Sequence, residues 1–231
     1  MKRMLILLLL VVGGLCQLVA QEVNTSVDKV YVVFKTHLDV GFTDLSSVVT
    51  QRYITEFIPK ALDVSEKLRA ENASEKYVWT TGAWLIWKYL HTASPEEVKR
   101  LEAAIGRGDI VWNSVPYTVE SESMNLDLFE TSLLLSHKLD EKYGKKTIAA
   151  KMTDVPGHTR SIVSPMSRAG IRFLHIGVNP ACPIPNVPEF CRWRDTDGSE
   201  LILVYQQDYG SENILPGGKA VISINFTGDN H

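Results

Sequence analysis

Cysteine is scarce in this chain: three in 231 residues, at positions 16, 182 and 191. That excludes a disulfide-built scaffold, and no pair has the close spacing of a zinc finger. Cys182 and Cys191 stand in a proline-containing loop segment, where they either pair in an oxidising compartment or remain free thiols. An excess of charge is missing too. Lys and Arg number 24 against 27 Asp and Glu, a formal net charge of -3 with a sequence pI near 6.1. A nucleic-acid footprint is therefore absent, as is a basic patch for an anionic membrane surface. There is no repeat, no low-complexity tract, no Gly/Ser linker, and no Gly-x-Gly-x-x-Gly after the first candidate strand. The apolar run at 4–12 is too short to span a bilayer. With Lys2 and Arg3 before it and Ala20 near its end, it reads as an export leader over residues 1–21. The expected location is periplasmic or extracellular. Cys16 follows Leu15, a poor lipoprotein cleavage context, so lipid anchoring there is the secondary reading. Residues 22–231 suffice for one sizeable domain.

What is present is alternation. Residues 30–34 (VYVVF), 77–81 (YVWTT), 109–113 (DIVWN), 147–152 (TIAAKM), 172–177, 200–205 and 220–225 are short β-branched and aromatic runs, the signal of buried strands. Between them lie helical patterns. One covers 45–72, broken by Pro59 into a kink or two helices. Another starts at Ser94-Pro95-Glu96-Glu97, an N-cap with Pro at the first position and a capping box, and ends near Gly106. A third covers 124–143 and is closed by Gly144, and 161–169 is a fourth. Strands alternating with helices predict an α/β fold with a parallel sheet. Seven such strands, each handing polar residues to the next loop, favour a seven-stranded parallel β/α barrel over an open doubly wound sheet.

Two strand ends carry the chemistry. After residues 30–34 come His37 and Asp39, two positions apart, so that in an extended segment both point the same way. Asp154 holds the equivalent place after 147–152. In a parallel barrel such ends face one another across the top, and a His with two Asp can bind zinc and leave a position open for substrate oxygens. The structural alternatives are that Asp39 caps the next helix or fixes the tautomer of His37, and that Asp154 caps the helix near Ser161. Trp79, Trp84, Trp112, Tyr117 and Tyr209 offer flat apolar faces for a sugar, most of them better suited to the core. Asp208 with Tyr209 is the best candidate for substrate contact. Glu120 and Glu122 read as solvated loop acids.

The motifs resemble those of the glycoside hydrolase family 38 α-mannosidases. His37-Leu38-Asp39-Val40-Gly41-Phe42 stands where that family has His-x-Asp-Pro-Gly-Trp, and Asp154-Val155-Pro156-Gly157-His158-Thr159 where it has Asp-x-Phe-Gly-His-Ser. Residues 193–199 look like its Trp-x-Gly-x-Asp-Gly-Ser, and 226–229 like a later Gly-Asp segment. The resemblance implies a zinc-containing barrel acting on mannose-containing glycans. His37 and Asp39 would be zinc ligands, and Asp154 both a ligand and the nucleophile of a retaining mechanism. His158 would give support behind the site or simply pack its loop. The family's general acid and its fourth zinc ligand have no counterpart before His231. That absence leads to the expectation of a piece of a longer protein, or of an incomplete site. Other readings are a zinc-dependent carbohydrate deacetylase with Asp154 as base, and a non-catalytic sugar-binding barrel.

Overall fold

The computed structural model describes residues 26–210 and 212–229, the last five by backbone alone. The expected leader over 1–21, with Cys16, and the chain-terminal His231 lie outside the described residues. In chain order the elements begin with β1 (Lys29–His37), then α1 (Ser46–Arg52) and α2 (Ile58–Ala70), joined by one π-turn over Tyr53–Phe57. Next come β2 (Trp79–Gly82), α3 (Ala83–Thr92), α4 (Pro95–Arg107), β3 (Ile110–Asn113), α5 (Leu126–Tyr143), β4 (Ala149–Asp154), α6 (Val163–Arg168) and β5 (Phe173–Val178). β6 (Phe190–Arg194), β7 (Glu200–Gln207), β8 (Glu212–Ile214) and β9 (Ala220–Asp229) complete it. No helix among the described residues is long and apolar enough to cross a membrane.

The α/β class holds, but the strands form two mixed sheets rather than one closed barrel. Their orders are β3-β2-β1-β9-β8 and β4-β5-β7-β6. The seven expected strands are all present, and every pairing among them is parallel. Closure would require β7 to pair with β9, and both free edges are already taken. β6 folds back antiparallel on β7, and β8 does the same on β9. Those two hairpin strands were not read from the sequence. On the other side the sheets adjoin through a single ladder-like bond, Ser114 N–H to the Ala149 carbonyl at 2.9 Å. The 193–199 motif is the β6–β7 hairpin turn, where Asp195 N–H bonds the Ser199 carbonyl (2.9 Å) and Gly198 sits at φ 87°. Asp197 there accepts from Ser164 at 2.6 Å, tying the turn to α6.

Local chemistry explains the helix ends. Ser94 accepts from Glu97 N–H at 3.3 Å and Pro95 opens α4. That helix continues through Gly106, which stays helical. It is Gly108, at φ 81°, that ends it, because a left-handed residue after the last turn is cheap only for glycine. Pro59 is the second residue of α2, directly after the π-turn; the residues before it are helical too, so its missing N–H interrupts the hydrogen-bond ladder where the helix changes register. Each sheet has its own core. Tyr53, Ile58, Leu62, Leu85, Leu101 and Ile105 fill one, Phe129, Met152, Met166, Leu174 and Ile176 the other. Each full burial of such a side chain contributes about 1.5–3 kcal/mol. Trp79 and Trp112 belong to the first core and offer no face to a ligand. β1 is divided along its length. Val30, Val32 and Phe34 are exposed, whereas Lys35, Thr36 and His37 are buried.

One buried acid anchors the entrance to β3. Asp109 is 2% exposed and receives Arg69 through two nitrogens and Arg107 Nε at 2.8 Å. Burial alone would raise its pKa; the two guanidiniums outweigh that and hold it below the usual carboxylate range. Its contribution is thus complete above the unfolded-state carboxylate pKa and is lost as pH falls through the lower folded value. Asp109→Ala removes the acceptor of two guanidiniums that are themselves about a third exposed and can turn to water, and should cost about 1–2 kcal/mol. Urea titration should show a lower midpoint with an unchanged slope, and the deficit should shrink in acid.

Candidate metal and sugar site

The site starts with how β1 ends. Tyr53, on the π-turn between α1 and α2, is fully buried, and its hydroxyl donates to the His37 carbonyl at 3.0 Å. Thr36 Oγ1 completes the pair at 2.9 Å. A π-turn shifts side-chain phase within a helix, and here that turn delivers a hydroxyl to the strand end. Burial pushes the Tyr53 phenol up to about 12, so it stays a neutral donor. Beyond this brace, His37 is 3% exposed and places Nε2 at 3.2 Å from Asp39 Oδ1. The chain then turns at Gly41 (φ 108°) and Phe42 (φ 62°), leaving Phe42 85% exposed.

Asp154 closes β4 with φ 79°, a strained conformation for a residue other than glycine and one that collects at functional sites. Its Oδ1 accepts from Tyr209 Oη at 2.5 Å and from Asn179 Nδ2 at 2.8 Å. Asn179 N–H also bonds the Asp154 carbonyl at 2.8 Å, so two neighbours lock both backbone and carboxylate. With both side-chain bonds on Oδ1, the second oxygen is left to face another partner. Tyr209 can reach because Gly177 in β5 has no side chain. A Cβ there would lie 2.5 Å from the Asp208 carbonyl and 3.0 Å from that of Tyr209. The Tyr209 ring also packs on His37, centroids 4.8 Å apart.

His37, Asp39 and Asp154 therefore meet, each offering one ligand atom, with all three atoms within 4.8 Å of one another. One nitrogen and two oxygen donors are a set that zinc accepts. Bonds of about 2.0–2.1 Å in a tetrahedron separate ligand atoms by roughly 3.3 Å, and His37 and Asp39 already stand at 3.2 Å. No fourth His, Cys, Asp or Glu among the described residues joins the group. A cavity of about 270 Å³ opens above it, lined by Asp39, Val40, Tyr117, Thr118, Asp154 and Val155. A larger hollow of about 370 Å³ lies elsewhere, between α5 and α6.

The remaining candidates fall in different places. Tyr209 is in the site through its hydroxyl. Asp208, exposed and at φ 78°, bonds the N–H of its neighbour Tyr209 at 2.7 Å and shapes the turn. His158 bonds Ser121 Oγ at 3.1 Å, and Thr159 N–H bonds the same hydroxyl at 3.1 Å, which fastens the 155–159 loop. Burial drops the His158 pKa to about 4, against a smaller opposing pull from the Val155 backbone. Glu122 sits against Gly157 in that loop. Tyr117 packs edge-on against Trp84 and lines the cavity. Cys182 and Cys191 are not bridged. Asn179 was missed from the sequence, although it follows β5 as Asp154 ends β4, and that shared position was the available signal.

A scan against protein-family profiles finds no match, and neither does a search of curated protein sequences. Solved structures do match. The chain is similar to an alpha-mannosidase from Enterococcus faecalis V583, with 18% identity and a TM-score of 0.63 over 77% of this chain and 20% of that one. It is also similar to a glycosyl hydrolase family 38 protein from Enterococcus faecalis, with 16% identity and a TM-score of 0.57 over 76% and 18%. A 4-alpha-glucanotransferase from Thermococcus litoralis follows at 11% identity, 0.51, and 77% and 28%. The fold is thus that of the family 38 glycoside hydrolases, and the chain spans about a fifth of the length of the two enterococcal proteins.

The close approach at Gly177 yields a contrast. Gly177→Ala must push the Asp208–Tyr209 backbone away, an overpacking cost of about 1–3 kcal/mol. Gly106→Ala meets nothing within 4 Å and should gain up to about 1 kcal/mol. Thermal melts of the two variants should move in opposite directions; a neutral Gly177→Ala would show that the Tyr209 loop is not held where described.

Proposed function

We propose that the chain is the metal-binding catalytic part of a retaining glycoside hydrolase acting on α-mannosides or related glycans, with one zinc ion held by His37, Asp39 and Asp154. The observation that carries this reading is the meeting of those three side chains in a fold shared with family 38 glycoside hydrolases. Bound there, zinc would supply a Lewis acid that orients and polarises sugar hydroxyls. The protein's own groups account for the rest. Asp154 attacks the anomeric carbon: a carboxylate oxygen–carbon bond forms as the bond to the leaving oxygen breaks, and that oxygen takes up a proton. Water then attacks the same carbon, the bond to the carboxylate breaks, and the proton that water gives up balances the one taken by the leaving oxygen, giving net retention. The bonds from Tyr209 and Asn179 to Oδ1 fix the orientation of the carboxylate. Tyr117, lining the cavity, is an aromatic surface available to a pyranose.

Among the described residues no carboxylic acid other than Asp39 joins Asp154 within ligand distance, and we assign the proton for the leaving oxygen to no residue of this chain. A positioned acid contributes ~10²–10⁴-fold to such a step. The chain alone should cleave aryl mannosides with acidic phenols far faster than natural mannosides. A 5-fluoro glycosyl fluoride donor should label Asp154, read by peptide mapping. Label on another carboxylate, or rapid turnover of an unactivated mannoside, would contradict the assignment.

A further inference from the structure

The cavity above the cluster continues outward into a row of aromatic rings. Tyr117, which lines that cavity, is 37% exposed and packs edge-on against Trp84, with ring centroids 5.7 Å apart. The backbone holds this pair together. The Ala83 and Trp84 N–H groups, in the first turn of α3, bond the Val115 and Pro116 carbonyls at 3.1 and 3.3 Å. At about 100° per residue, Trp84, Trp87 and His91 fall within about 60° of one another around α3. That stripe lies opposite Leu85, Ile86 and Tyr89, which are fully buried. Trp84 is half-buried against the first core, and Trp87, one turn further from the cavity, is 36% exposed. His91 stacks on Trp87 with centroids 4.4 Å apart and a tilt of 30°, while its Nδ1 donates to the Trp87 carbonyl at 2.7 Å. The indole is thus backed on one face and held in place on the surface, where it adds nothing to the core.

We infer that Tyr117, Trp84 and Trp87 form a binding track for successive sugar units, so that the ligand is an oligosaccharide of at least three units rather than a single glycoside. The inference rests on the glycosidase reading for the unit that occupies the cavity. At about 270 Å³, below the usual size of a drug-sized pocket, that cavity takes one sugar ring and leaves the following units outside. A pyranose packs a face of C–H groups on an aromatic ring and keeps its hydroxyls in water. A row of rings therefore suits a row of sugars. Three residues rise about 4.5 Å along a helix, so Trp84 and Trp87 are spaced on the scale of one sugar unit. An apolar protein partner would look for aliphatic side chains around the rings, and α3 exposes none: its leucines and isoleucine are buried or half-buried. The second unit would lie on Tyr117 and Trp84, and the third on Trp87.

Titration calorimetry on the zinc-reconstituted chain tests this with thio-linked α-manno-oligosaccharides, which resist cleavage. Affinity should rise from the disaccharide to the trisaccharide, whose third unit reaches Trp87. Trp87→Ala should bind the trisaccharide about tenfold more weakly, the loss of one stacked ring, and the disaccharide as the unaltered chain does. Trp87→Phe should restore most of that affinity. Alanine is the best helix former at such an exposed position, so the variant keeps its fold. Equal affinity for the two lengths, no measurable binding of the trisaccharide, or unchanged binding by Trp87→Ala would overturn the inference. Labelling of Asp154 by the fluorinated donor together with equal affinities would defeat the track alone. Length-dependent binding that needs Trp87, without labelling of Asp154, would uphold the track and defeat only the glycosidase reading.

Discussion

The site straddles a seam, and the rest of the molecule depends on that seam holding. His37 and Asp39 come from one sheet and Asp154 from the other. Between β3 and β4 the ladder is reduced to one backbone bond, so side chains carry the join. Lys35 reaches across to Thr153, Thr118 receives Thr153 N–H, and the Tyr209 ring lies on His37 while its hydroxyl holds Asp154. Each bond contributes only about 0.5–1.5 kcal/mol net. They are buried or half-buried, however, and leaving a buried partner unsatisfied costs about 1–3 kcal/mol, which makes the set cooperative rather than additive.

Backbone strain is concentrated along the same line. Of the four described non-glycine residues with positive φ, Asp154 ends β4 and Asp208 follows β7 beside the cluster, Phe42 lies in the turn after the His37–Asp39 motif, and Asn72 lies apart at the end of α2. Residues held this way cost roughly 1–3 kcal/mol each and persist where surrounding contacts over-determine them. Here the contacts are identifiable: Asn179 and Tyr209 around Asp154, and the Val178 carbonyl accepting Asp208 N–H at 2.9 Å. Gly82 and Gly177 serve the arrangement by omission. A Cβ on Gly82 would stand 2.1 Å from the Pro116 carbonyl, so the loop carrying Tyr117 and Thr118 could not close over the cavity.

Much of this was legible in the sequence, because its signals are local. The seven parallel strands announced themselves by composition, and the Ser94 and Gly144 caps by residue type and spacing. His37, Asp39 and Asp154 were found because each stands at a strand's C-terminal end. Closure of the sheet was not legible. It depends on which strand takes which edge, and β6 and β8 are short, with exposed residues that dilute any alternation. The buried lysines were hidden for the opposite reason. Lys35 and Lys151 sit within apolar strands and read as ordinary surface charge until the inward face of each strand is known. Tyr53 was visible as a helix-face residue, but its hydrogen bonds to the His37 strand end follow from a π-turn that no periodicity predicts.

The central claim is that His37, Asp39 and Asp154 form one metal centre across the seam. X-ray absorption on the chain reconstituted with zinc, then washed free of excess metal, tests it most directly. The account predicts about one zinc per chain, with a single imidazole nitrogen and otherwise oxygen donors at about 2.0–2.2 Å. It also predicts that His37→Ala and Asp154→Ala each abolish retention, although the two residues lie in different sheets. Zinc retained undiminished in either variant, or a first shell containing sulfur or several imidazoles, would contradict it.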